Sequence, residues 1–259
     1  MTYKSSIKKN KKKLAFSLIE LSIVLIIIGL LVAGVTGGAS LIKSSELRSV
    51  ITEARSWAIA VNGFYNQFNA LPGDFNTVLG TSSVGDGDGT IEFATGPGTV
   101  TNGTYYEGRN AWVQLKASGI LDSNVLSQAT TITASTTSIS TFGTNLPASK
   151  IRSSGWDFEY NSTSLQNTVV LTGAIGGTTA CSAGSTTAST TLTSTTSCAS
   201  GAITPTDALS LDSKFDDGSA INGKLRGILT TCFSSASGVY TTSLSTKVCA
   251  ISFQVDVNS

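Results

Sequence analysis

Residues 16–35 read FSLIELSIVLIIIGLLVAGV, an almost wholly apolar run of about 20 residues. That is the length at which an α-helix, rising about 1.5 Å per residue, crosses a bilayer core. Lys4, Lys8, Lys9, Lys11, Lys12 and Lys13 precede the run with no acid among them, which holds that end in the cytoplasm and sends the rest of the chain across. One residue is out of place in an ordinary anchor. Glu20 lies one turn into the run, where a carboxylate costs roughly 2.5 kcal/mol or more at the bilayer centre and less near its edge. Such a group needs a partner. A secretory signal peptide has a shorter apolar core of about 7 to 15 residues, although the small residues of VAGVTGGAS offer it a cut site. A generic single-pass anchor accounts for the length and the lysines but not for Glu20 beside Phe16.

The order of basic leader, small residue Ala15, then Phe16, Ser17, Leu18, Ile19, Glu20, Leu21 and an apolar stretch resembles the precursors of type IV pilins and type II secretion pseudopilins. Their usual pattern is a small residue followed by Phe-Thr-Leu-Ile-Glu. The specific resemblance covers residues 11–40; residues 71–121 and 211–218 look similar, more loosely, to segments of pilin-like proteins with this leader. It implies cleavage between Ala15 and Phe16 and N-methylation of the new Phe16 amine. The freed amine is a cation that Glu20 of a neighbouring subunit can answer in low dielectric, and repetition of that pair makes an open helical polymer. The chain departs from the family twice. Ala15 stands where Gly is usual, and Gly34, Gly37 and Gly38 occupy the region where many members carry a proline. Each glycine weakens a helix by about 1 kcal/mol relative to Ala, so a bend or melted turn is expected there.

Beyond the membrane segment, Leu47, Val50, Ile51, Ala54, Trp57, Ala58, Val61, Phe64, Tyr65 and Phe68 recur at spacings of three and four, one continuous apolar stripe. Lys43, Glu46, Arg48, Glu53 and Arg55 lie mostly off it, and Leu71-Pro72-Gly73-Asp74 supplies the stop. A helix from Phe16 to Phe68 is roughly 80 Å long. Residues 107–121 predict a short amphipathic helix ending at a Gly, with Trp112 and Leu115 inward. Residues 155–160, 168–172, 238–240 and 249–255 alternate or cluster like strands. Ser/Thr-rich tracts at 127–141 and 178–200 read as loops or edge hairpins. The predicted organisation is α+β and pilin-like: a cleaved basic leader over 1–15, a long N-terminal helix over 16–70 spanning the membrane to about 37, and a head over 71–259. In the head a small antiparallel sheet packs on the amphipathic half of the helix, with long Ser/Thr-rich loops around it.

The chain has no His, which removes the usual general base, the common nucleophile pairs and the commonest metal ligand, so an enzyme is not expected. Loss of the six leader lysines takes the formal net charge from +1 to −5. A mildly acidic mature chain has no broad footprint for nucleic acid. Cys181, Cys198, Cys232 and Cys249 contain no C-x-x-C pair. Beyond a membrane-targeting segment they fit two disulfides, with three pairings open and the sequential one, Cys181–Cys198 and Cys232–Cys249, preferred over buried free thiols. In Gly85-Asp86-Gly87-Asp88-Gly89-Thr90, Asp86, Asp88, Thr90 and Glu92 alternate as oxygen donors to a calcium ion would, without the remaining EF-hand ligands. A plain Asp-Gly turn is the default reading there, and Asp216-Asp217-Gly218 is a second acidic turn able to add ligands if the fold brings it close.

These features predict a structural subunit of a type IV pilus or type II secretion pseudopilus. Its expected partners are itself and other pilins, the prepilin peptidase and methyltransferase, the inner-membrane assembly platform and the membrane. The precursor is expected in a bacterial inner membrane with its head outside, and the mature chain in a periplasmic pseudopilus or an extracellular pilus. The competing prediction is a membrane-anchored extracytoplasmic binding or adhesion module stabilised by calcium.

Overall fold

The computed structural model describes residues 17–91 apart from 81 and 83, 107–126 apart from 123, 142–161 apart from 145, 164–173, and 201–255 apart from 230. It divides into two compact units, Met1–Ser45 and Glu46–Ser259. Helix α1 runs through Leu18–Phe68. Over residues 18–35 it is apolar all round, and its side chains stand free, with Leu18 87 % exposed and Val35 71 %. Among the described residues it is one helix long and apolar enough, by length and composition, to cross a membrane. The melted turn expected at Gly34, Gly37 and Gly38 does not form, since α1 continues through them. The Thr36 hydroxyl contacts the carbonyl oxygens of Val32 and Ala33 at 3.1 Å, and Ser40 Oγ donates to Gly37 O at 2.9 Å. Three glycines keep their backbone N–H groups, so the cooperative ladder loses no bond as it would at proline.

Within the second unit the stripe turns inward. Leu47, Val50, Ala54, Val61 and Phe64 are buried, while Arg48, Thr52, Arg55 and Ser56 face solvent. Asn69 ends the helix in the left-handed region at φ 53, a conformation Asn tolerates, and its N–H bonds Tyr65 O at 2.7 Å. Helix α2 spans Glu107–Ala117. Trp112 and Leu115 are fully buried, but so are Glu107, Arg109, Asn110 and Gln114, so α2 is an interior helix rather than the half-exposed one predicted. Gln114 is paired from both ends of its amide: Oε1 accepts Gly73 N at 2.6 Å, and Nε2 donates to Phe75 O at 3.3 Å.

Strands β1 (Ser154–Asn161), β2 (Gln166–Gly173), β3 (Leu225–Gly227) and β4 (Ile251–Gln254) form one antiparallel sheet in the order β1-β2-β4-β3. The architecture is therefore α+β. Three predicted strands are present, but 238–240 is not one of the sheet strands. Tyr240 makes an isolated bridge to Phe233, and its hydroxyl donates to buried Asp212 Oδ2 at 2.8 Å. Helix α3 (Pro205–Phe215) and strand β3 are not among the predicted elements. α3 begins with a capping box in which Thr204 and Asp207 satisfy each other's backbone N–H, with Pro205 at the first helical position. Cys232 is disulfide-bonded to Cys249 across 17 residues, Cα to Cα 4.8 Å, both fully buried. Cys181, Cys198 and the tracts 127–141 and 178–200 lie outside the described residues.

Aromatic rings join the layers. Trp57 of α1 meets Trp112 of α2 edge-on at 5.1 Å, and Trp112 lies 4.2 Å from Phe158 of β1. Glu53 adds a polar lock. Its carboxylate accepts Trp156 Nε1 at 2.8 Å, Ser149 Oγ at 2.8 Å and Lys150 N at 3.0 Å. By strand alternation Asp157 and Glu159 lie on the face of β1 opposite Trp156 and Phe158, and both are buried. Burial raises the Asp157 carboxyl to about 6, although the Arg109 charge pulls it down. Burial also holds Glu159 well above the usual carboxylate range, and the Asp157 charge adds to the rise.

Two outcomes follow for the detergent-solubilised full chain. Glu53→Ala strands three donors, so it lowers the unfolding free energy in urea by about 3 kcal/mol; a loss under about 1 kcal/mol would mean that water replaces the lock. A carboxyl with a raised folded pKa binds more protons folded than unfolded, so its charge costs stability above the folded value and nothing below the unfolded one. Glu159→Gln therefore raises the melting temperature at pH 7.5, and the gain disappears near pH 4 (about the unfolded carboxyl value). Equal gains at both pH values would exclude ionisation as the cause.

Candidate functional site

Ala15 and Phe16 lie outside the described residues, and Glu20 sits in the first turn of α1. Between Lys13 and Lys43 it is the only charged residue. Glu20 Oε2 accepts the Ser17 N–H at 2.9 Å, and Leu21 N closes the turn on Ser17 O at 3.2 Å. The acid thus satisfies an amide that a helix start leaves open, at the positive end of the helix dipole. A carboxylate offers about four lone-pair sites, so one accepted bond leaves capacity for an ammonium group. Glu20 is exposed among exposed apolar neighbours, Leu18, Ile19, Leu21, Ile23 and Val24. In a bilayer the pairing of that charge must come from another polar group.

The acidic loop is organised differently from its sequence pattern. Asp86 shares a cluster with Asp74 and Glu107, their carboxylate oxygens all within 4.8 Å of one another. Asp74 accepts Gly87 N at 2.6 Å and Gly89 N at 3.0 Å, and Glu107 Oε1 accepts Asp86 N at 3.1 Å. Asp88 spends its Oδ1 on Thr90 N at 2.8 Å and Thr90 Oγ1 at 2.7 Å, and Glu92 lies outside the described residues. Gly85 is required where it stands, because a Cβ there would lie 2.3 Å from the Asp74 backbone. Burial raises the Asp74 carboxyl to about 6 against the pull of the Gly89 and Gly87 amides, and the Asp88 and Asp86 charges add to the rise. Nothing in the local spacing pointed to Asp74 or Glu107, which only folding brings to Asp86.

The second acidic turn forms a separate group, Asp212, Asp216 and Asp217. Asp212 takes Tyr240 Oη at 2.8 Å and Gly218 N at 3.2 Å, Asp216 takes Lys224 N, and Asp217 takes Ser219 N at 2.8 Å. By donor type both groups suit a hard cation. What they do in this structure is hold turns through backbone amides.

Residues 10–36 match the prokaryotic N-terminal methylation motif. No significant match was found among curated proteins or solved structures. The matched segment contains Ala15, Phe16 and Glu20 and ends within the apolar part of α1. The proteins that carry the motif are structural, pilin-type subunits rather than enzymes, and the signal with its apolar helix fits anchoring of the precursor in the inner membrane. Residues 10–36 of this chain are therefore a prepilin-type signal, the segment found in type IV pilin and pseudopilin precursors.

Proposed function

We propose that the chain is a structural subunit of a type IV pilus or a type II secretion pseudopilus. The prepilin peptidase cuts after Ala15, the new Phe16 amine is methylated, and the mature helix leaves the inner membrane for a filament in the periplasm or outside the cell. The observation that carries this reading is Glu20: one carboxylate, exposed in the first turn of a helix apolar on every side, inside the matched methylation motif. Cleavage creates a cation four residues before it, which Glu20 of a neighbouring copy can answer. Amine of one copy on acid of the next is a heterologous contact, and such contacts propagate into an open helical polymer. In low dielectric the pair recovers what each charge loses on leaving water only if both partners are present. The other pilins of the filament and the inner-membrane assembly platform are the partners this demands.

N-terminal sequencing of protein purified from membranes is expected to begin at methylated Phe16; a chain still beginning at Met1 sinks the processing step. Glu20→Ala is expected to insert into the membrane normally and to be missing from sheared filaments. Unchanged incorporation of that variant would overturn the pairing.

A further inference from the structure

The head carries a cleft of about 880 Å³ between the end of α1, the β1–β2 hairpin and the loop 87–90, within the size range of pockets that hold small ligands. Its walls are preformed. Asn167 of β2 accepts Ile91 N at 2.8 Å and donates to Gly89 O at 3.1 Å, and Asp74 grips Gly87 and Gly89 from the other side. A glycine-rich loop is thereby tied to the sheet and to the turn after α1, which removes most of the ordering cost of binding.

The lining selects a ligand chemistry. Among the described residues it contains no Lys or Arg, and its charges there are the carboxylates of Asp74 and Asp88, so phosphates and acidic sugars are disfavoured. The rest is rich in flat rings and in groups that donate and accept at once: Tyr65, Tyr160, Asn69, Gln166 and Gln254. That combination matches a polyhydroxyl surface with apolar C–H faces. At the rim Leu165 holds φ 55 and is 72 % exposed. Leu165 thus holds a left-handed conformation that Gly or Asn adopts more readily, with its apolar side chain in solvent at the mouth of the cleft.

We propose that this cleft binds a neutral oligosaccharide. The inference rests on the head alone and is independent of the filament reading. The test uses the full-length chain in an amine-oxide detergent, free of sugar headgroups, with maltotriose, cellotriose and triacetylchitotriose as probes, 3′-sialyllactose as the anionic control and tri-lysine as the cationic one. Saturation-transfer NMR is expected to show binding of at least one neutral trisaccharide and none of sialyllactose. Tyr65→Ala and Gln166→Ala are each expected to weaken that binding about tenfold. Gln166, half-buried at a strand end, keeps the test valid should Tyr65→Ala not fold. Failure of all three neutral probes, binding unaltered in Gln166→Ala, or binding of tri-lysine alone would overturn the proposal.

Discussion

One helix carries two surface patterns, apolar all round in its first part and one-sided in its second, and the rest of the chain is built on that constraint. Over residues 18–35 α1 presents apolar side chains in every direction, which water tolerates poorly and lipid or other copies of the helix accept. From Leu47 onward the same helix keeps a stripe buried and the opposite face polar, as a helix packed on a protein core does. The backbone ladder continues through three glycines between the two regimes, where side-chain hydroxyls of Thr36 and Ser40 add bonds to carbonyls one turn back.

In each regime an acid on α1 does work that no apolar residue could. Glu20 caps its own helix through Ser17 and retains lone pairs for a cation, in surroundings where an unanswered charge is costly. Glu53 faces the head and gathers a buried indole N–H, a hydroxyl and a backbone amide from the segment 149–156. Rings of Trp57, Trp112 and Phe158 supply area and fix distance, whereas the Glu53 carboxylate fixes register, because hydrogen bonds tolerate less sliding than apolar contact does.

Elsewhere the head manages its buried polar groups by long-range pairing. Gln114 and Asn110 hold the turn at Gly73, Asn167 and Asp74 hold the 87–91 loop, and Asp212 holds Tyr240. The acids of both turns bond to backbone amides, which explains why a glycine-rich acidic loop can take one defined shape. The same pairing ties down one wall of the cleft beside the β1–β2 hairpin.

Much of this was written in the chain. The 16–35 run, its lysines and Glu20 specify a helix long and apolar enough to cross a membrane and a prepilin-type signal; the three-and-four spacing from Leu47 to Phe68 specifies a helix with one buried face. Alternating residues at 155–160 and 168–172 specify two strands, since local period reports local geometry. The capping box that starts α3, Thr204-Pro205-Thr206-Asp207, is a local signal as well, although α3 is not among the predicted elements. Tertiary structure decided the remainder. It placed three residues of the short β3 beside β4, enclosed Glu107, Arg109, Asn110 and Gln114 of α2, brought Tyr240 to Asp212, and grouped the Asp86 carboxylate with those of Asp74 and Glu107. Period and propensity describe neighbours along the chain, whereas burial of a charge and the partner that makes it tolerable are set by segments distant in sequence, which meet only once the core has formed.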